Sequence, residues 1–230
     1  MTSTDAGRLA AVHTGRPTWR VTPEGKRWRS SFVKQLVEGP VWLDWENLAG
    51  DQQADLGVHG GRDMAVLCYS AEHYPLWLEE LASTELGPGG FAENFTIAGQ
   101  EERTVCLGDV YEVGEAIVQV SQPRGPCFKI SRRWNRPELL DRVVETGRYG
   151  WYLRVLQPGL VEAGQTLILA DRPHEEWTVR RAADALQLRK RVPAEARALL
   201  ECEALGASAR RDLAKTELRS FSARRSASRG

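Results

Sequence analysis

The sequence predicts a mainly β (α+β) protein, a barrel or sandwich over residues 1–172 followed by a small helical unit over 173–230. Three observations predict it. From about residue 11 to residue 172, short apolar or alternating runs are broken roughly every ten residues by Gly, Pro and Asp, the spacing of strands joined by turns. After Asp171-Arg-Pro173 the texture changes to Ala, Leu, Arg and Glu with almost no glycine. Charge divides at the same point: residues 1–172 carry 18 bases against 23 acids, and 173–230 carry 13 bases against 8 acids.

The clearest strands are Ala65–Tyr69, Asn94–Ile97, Val110–Val113, Ala116–Ser121, Trp151–Leu156 and Thr166–Ala170. Val110 to Val120 reads as a hairpin, with Gly114-Glu115 supplying the positive φ of a two-residue turn. Two helices interrupt the strands. Ser70 is placed to cap Ala71–Leu81, and Pro137 opens a helix to Thr146 that Gly147 stops. In the C-terminal unit, Thr178 caps Val179–Leu188, Pro193 opens Ala194–Leu205, and Gly206 separates that helix from Ser208–Leu218. The remaining basic, aperiodic tail is expected to fray.

With 230 residues, 42% of them hydrophobic, and eight Trp, the chain has material for a sizeable core. The net charge is zero, which argues against chain-wide binding to nucleic acid or anionic lipid. The basic balance of the tail is interspersed with acids and reads better as a solvated helical face than as a phosphate-binding surface. No run of about eighteen apolar residues and no signal-like start are present, so a cytoplasmic protein without membrane contact is expected. Cys68, Cys106, Cys127 and Cys202 stand far apart without a C-x-x-C spacing, which excludes a disulfide framework or a zinc site as the natural reading.

Three segments could carry chemistry. The loop Gly50 to Asp63 is rich in Gly and Asp and leads into an apolar strand; Gly60-Gly61 allows close backbone approach, and His59 and Arg62 can hydrogen-bond an anion or a polar ring. It is neither a phosphate-binding Walker loop nor a dinucleotide fingerprint. In Ser121-Gln-Pro-Arg-Gly-Pro-Cys-Phe-Lys129, two prolines stiffen a loop that presents Cys127 between Arg124 and Lys129, and positive charge favours the thiolate. Cys68 and Cys106 lie in apolar strand-like settings, where a thiol fills space. In Gly90-Phe-Ala-Glu-Asn-Phe-Thr-Ile97, Asn94 can donate to a ligand or form an Asx turn that starts the strand.

In order, Gly50-Asp51, Val58-His-Gly-Gly-Arg-Asp63, Phe91-Ala-Glu-Asn94, Leu107-Gly-Asp109, Ser121-Gln-Pro-Arg-Gly-Pro-Cys127 and Gly147-x-x-Gly150-Trp151 resemble the MOSC family, named for the C-terminal domain of molybdenum-cofactor sulfurase. They resemble in particular its bacterial YiiM-like branch, and the helical tail looks like that branch's three-helix appendage. Two positions depart from the family pattern. Met64 stands where Arg usually follows the Asp, with Arg62 the nearest cation, and Ala92 replaces the usual Gly.

The resemblance implies a β-barrel that holds molybdenum on a pterin dithiolene, the molybdenum cofactor, with Cys127 as the metal's protein ligand. His59, Gly60, Gly61, Arg62, Asn94, Ser121, Gln122, Arg124, Lys129 and Lys34 are the implied cofactor contacts. Catalytic roles fall to Cys127, His59 and Asp63, the last two as proton carriers. The implied activity is reduction of N-hydroxylated compounds, hydroxylamino-purines and amidoxime-like substrates, to amines, a detoxification of N-hydroxylated bases. Pyridoxal phosphate is not required. Haem, flavin and iron–sulfur motifs are absent from the sequence, so the electrons are expected from a separate reductase protein. Oligomeric state stays open, a homodimer included. The alternative reading is a carrier of the cofactor, or of persulfide sulfur, without turnover.

Overall fold

The computed structural model describes residues 6–216 except 22–24, 56, 58–59 and 83–84. Its strands are β1 (Gly7–Thr14), β2 (Thr18–Val21), β3 (Arg27–Ser30), β4 (Gln35–Leu36), β5 (Val41–Leu43), β6 (Val66–Ser70), β7 (Phe95–Ala98), β8 (Val110–Val113), β9 (Ala116–Pro123), β10 (Trp151–Gln157), β11 (Gly159–Val161) and β12 (Thr166–Asp171). The helices are α1 (His73–Glu80), α2 (Lys129–Trp134), α3 (Leu139–Thr146), α4 (Val179–Leu188) and α5 (Pro193–Leu200), and residues 207–216 are also helical.

Seven strands close on themselves in the order β12-β8-β9-β10-β6-β7-β1, with β1 pairing back onto β12 through Gly7↔Leu167 and Arg8↔Thr166. A barrel, not a sandwich, is the result, so no long sheet edge is left unpaired. Every neighbouring pair in the ring is antiparallel except β6–β7, which runs parallel because the connection through α1 crosses over. The predicted hairpin is β8–β9. Val113 pairs with Ala116, and Gly114 takes φ 57° at the turn, where a Cβ would meet the Leu160 carbonyl oxygen at 2.4 Å.

Alternate residues of these strands point inward, among them Leu9, Val66, Ile97, Val118, Leu153 and Leu167, and all are sealed from solvent. The helical unit shares this core: Val179, Ala182, Ala185, Leu199 and Leu213 belong to the same contiguous cluster. A second cluster beneath α1 and α3 is aromatic, with Tyr69 stacked on Phe91 at 4.4 Å and Trp77 donating to the Tyr69 hydroxyl at 2.6 Å.

Some helix ends follow capping chemistry and others do not: α2 and α3 start without a side-chain cap, and α3 begins at Leu139, two residues beyond the Pro137 expected to open it. Thr178 Oγ1 accepts from Arg181 N at 3.1 Å, Pro193 opens α5, and Gly147 at φ 74° ends α3. Ser70 is not the cap of α1. Its hydroxyl pairs with the Glu72 carboxylate at 2.5 Å, and the helix starts later, at His73, without a side-chain cap. The helix expected to run to Leu205 stops at Leu200; the following turn brings Gly206 N to Ser121 O at 2.9 Å and so ties the helical unit to β9. Among the described residues no helix is long and apolar enough to cross a membrane.

Candidate functional site

β9 carries the stiffened loop to one end of the barrel. At Arg124 the backbone N donates to Gly150 O at 3.0 Å, which holds the loop against the start of β10, and Cys127 O accepts from Ile130 N at 3.0 Å, which opens α2. The basic stretch after the loop is helical, starting at Lys129, the loop's last residue, and the sequence carries no sign of this helix. Six residues with only Ile130 buried offer no periodicity to read.

Of the four cysteines, only Cys127 is partly open to solvent. Burial pushes the Cys68 thiol far above its ordinary range, the Cys106 thiol up to about 11 and the Cys202 thiol upward too, so these three stay protonated and inert.

Cys127 lies in the wall of a cavity of about 530 Å³, within the range of pockets that take a cofactor-sized ligand. Of the residues expected at the site, Lys34, Asn94, Gln122, Arg124 and Lys129 line it together with Cys127. Gly60, Gly61, Arg62, Asp63 and Ser121 are not in its wall, and His59 lies outside the described residues. Arg62 packs over the Trp45 ring at 4.9 Å. The Asp63 carboxylate is engaged by Arg154 Nε at 2.9 Å and by Ala207 N at 2.8 Å, where it caps the start of the helix at 207–216. Ser121 Oγ lies 2.6 Å from the Asp63 carbonyl oxygen and 3.0 Å from that of Tyr152.

Two groups in the wall are polar, buried and unpartnered: Arg124 Nη1 and Gln122 Oε1. The Arg124 guanidinium is held under Phe32, its carbon 5.7 Å from the ring centroid, so its charge is aimed and its rotamer freedom already spent. A buried donor left open normally costs about 1–3 kcal/mol, and a ligand atom would recover that.

Asn94 is occupied instead. Its Oδ1 accepts from Leu67 N at 3.1 Å, and its Nδ2 donates to His13 O at 3.1 Å and Asp51 Oδ2 at 2.9 Å, so it staples β1, β6 and the Asp51 loop. Neither reading of the sequence described this three-way staple. Asp51, Met64 and Tyr152 also line the cavity and were not singled out as contacts. Met64 puts a thioether in the wall at the position where the family pattern has Arg. Burial pushes the Tyr152 hydroxyl pKa up, against the pull of Arg124, so it remains a proton-bearing group.

The helical unit completes the rim with Leu186, Gln187, Arg189, Ser208, Ala209 and Asp212. No pattern within those helices marks them as rim residues, because they reach the cavity only through docking on the barrel.

The MOSC domain model matches residues 55–168. The YflK protein of Bacillus subtilis strain 168 is 45% identical over 164 residues, which cover 71% of this chain and 73% of YflK. The chain belongs to the MOSC family. A crystal structure of YiiM from Geobacillus stearothermophilus superposes with a TM-score of 0.76 at 30% identity, covering 91% of this chain and 98% of that one, so this MOSC protein has the YiiM-like form of the fold, helical unit included. A protein of Gibberella moniliformis strain M3125 named "Reductase" is 39% identical over 153 residues, which cover 65% of this MOSC protein and only 27% of the fungal chain.

Proposed function

We propose that this MOSC protein is a molybdenum-cofactor-dependent reductase of N-hydroxylated compounds, hydroxylamino-purines and amidoxime-like substrates among them. One observation carries the reading: the sole accessible thiol, Cys127, shares a cavity of about 530 Å³ with a buried guanidinium that has an open donor. The name of the fungal relative agrees with reductive chemistry.

The donor set fits a phosphate-bearing pterin that carries a soft metal. A thiolate is the matching ligand for the metal, and Arg124, Lys129 and Arg189 supply cations for the phosphate. When bound, the metal supplies the two-electron, oxygen-accepting step that no side chain can perform. The overall change is R–NH–OH plus two electrons and two protons to R–NH₂ plus water. Within this reading the chain anchors the group through Cys127, orients it through Arg124, and holds a proton in the wall at Lys34 Nζ. Burial lowers the pKa of Lys34, which eases release of that proton, while Asp51 restrains it. Asp63, spent on Arg154 and Ala207, is left without a proton-transfer role in this arrangement.

The test is molybdenum and pterin content of wild type and Cys127→Ala, each produced alongside an intact cofactor pathway, followed by reduction of an N-hydroxylated purine with a chemical electron donor. About one molybdenum per wild-type chain with turnover, and neither in a folded Cys127→Ala, is the expected result. Bound molybdenum without turnover would favour the carrier reading instead, and a wild type that stays empty would sink both.

A further inference from the structure

Two segments beside the cavity have a composition unlike the rest of the chain. Residues 15–34 hold six bases and one acid, and residues 124–136 hold five bases and no acid; with Lys34 paired to Asp51 and Arg124 buried in the cavity wall, nine bases and one acid remain in these segments. The fold puts these segments side by side. β2 and β3 form a hairpin in which Val21 faces Arg27 and Trp19 faces Arg29, and Trp28, between them on the opposite face, turns inward beneath Arg132 of α2. Ser30 from the end of β3, and Phe128 and Lys129 from the start of α2, are lining residues of the cavity, so the patch begins at its mouth.

Its guanidinium groups are supported on rings. Arg27 lies over Trp19 at 4.9 Å, Arg132 lies at 5.4 Å from Trp28 and 4.9 Å from Phe128, and Arg133 lies over Trp134 at 4.4 Å. Trp19 and Phe128 nevertheless remain 62% and 55% exposed, which is large for aromatic side chains of a folded chain. Planar cations already stacked in place lose little freedom on pairing with carboxylates, and Arg with exposed aromatics is the composition enriched in protein interfaces.

We propose that the β2–β3 hairpin and α2 form the docking surface for an acidic electron-donor protein, one that carries a flavin or iron–sulfur centre behind a carboxylate-rich face. This inference rests on the reductase reading, which consumes two electrons per N–O bond reduced; the donor is oxidised by two electrons in total, and the protons come from solvent through the cavity wall. Docking at the mouth brings the donor's redox centre towards the thiol-bearing cavity without blocking the rim that α4 and the helix at 207–216 supply. Single-stranded nucleic acid also seeks cations interleaved with aromatics. Here, however, Trp19, Trp28, Phe128 and Trp134 each have a guanidinium over a ring face that base stacking would need, which favours carboxylates as the partner chemistry.

The test compares the full wild-type chain with the Arg27→Glu, Arg29→Glu double variant, whose side chains lie on the outer face of the hairpin and outside the cavity. Binding is measured by calorimetry against an acidic flavodoxin and an acidic two-iron ferredoxin, at low and physiological salt, with a single-stranded oligonucleotide alongside. Expected is micromolar binding of at least one acidic protein that weakens as salt rises and falls about tenfold or more in the double variant, with an unchanged unfolding midpoint. Binding of neither protein at low salt, affinity indifferent to the charge reversal, or tighter binding of the oligonucleotide would each overturn the proposal. Turnover driven by a reduced viologen separates the two claims. Its loss in cofactor-loaded wild type removes the reductase reading, whereas viologen turnover that persists while neither acidic protein binds removes the docking surface alone.

Discussion

Lys34 Nζ and Asp51 Oδ1 lie 2.5 Å apart in the cavity wall, with side chains only 7% and 2% exposed. The second Asp51 oxygen accepts from Asn94, and Gly15 N donates to the first at 2.7 Å, so one carboxylate organises three chain segments and neutralises a buried ammonium. Removing its charge leaves Lys34 buried without a counter-ion. Asp51→Asn is expected to cost about 3–5 kcal/mol in urea unfolding. Adding Lys34→Met to Asp51→Asn should recover a good part of that, because the uncompensated charge is then gone.

Arg124 carries the opposite expectation. Its open Nη1 is a cost in the ligand-free chain, so Arg124→Met should leave the empty protein as stable as wild type or more stable by about 1 kcal/mol. Cofactor occupancy, measured as bound molybdenum after co-production, should fall at least tenfold. A stabilised variant that still fills normally would show that this guanidinium does not hold the ligand.

Ala92 adopts φ 65°, in the left-handed region, at the position where the family pattern has Gly. The loop keeps its shape and Ala bears the strain, since Glu93 fixes the backbone by accepting from Gly89 N at 2.6 Å and Phe91 N at 3.1 Å. Ala92→Gly is expected to raise stability by about 1 kcal/mol in thermal unfolding, while removing one methyl from the cavity wall.

His13 supplies a pH dependence. Burial lowers its pKa below the ordinary 6.5, Glu93 pulls it up and Lys34 pushes it down further. The unfolded chain therefore takes up the proton first on acidification. Stability from this residue is complete above the unfolded pKa and is lost as pH falls from about 6.5 towards the folded value. Melting curves at pH 7 and pH 5 should show a smaller drop for His13→Gln than for wild type.

Much of the barrel is legible in the sequence because the strands at 66–70, 95–98, 110–113, 116–123, 151–157 and 166–171 combine apolar residues with turn signals at their ends. β1 was not read, although its Gly7-Arg-Leu-Ala start alternates in burial, because Ala and Gly are poor strand markers. The β2–β3 hairpin hides behind its charge: Arg27 and Arg29 face outward and only Trp28 and Ser30 turn in. Cys127, Arg124 and Lys129 could be found as candidates because a stiff basic loop around a thiol is a local signal. The ion pair of Asp51, the stapling role of Asn94 and the rim from α4 could not, since each arises from segments dozens of residues away.

The barrel seam joins β1 to β12, the first strand of the ring to the last. A chain leaving the ribosome thus carries β1 with one edge bare through the synthesis of some 80 residues before β7 arrives, while the other edge is covered only at His13 and Thr14 by β4 for about 150 residues until β12 closes it. During that interval β1 is open to wrong pairing because its two long partners do not yet exist, and slow translation should be more harmful to this protein than to a meander of neighbouring hairpins.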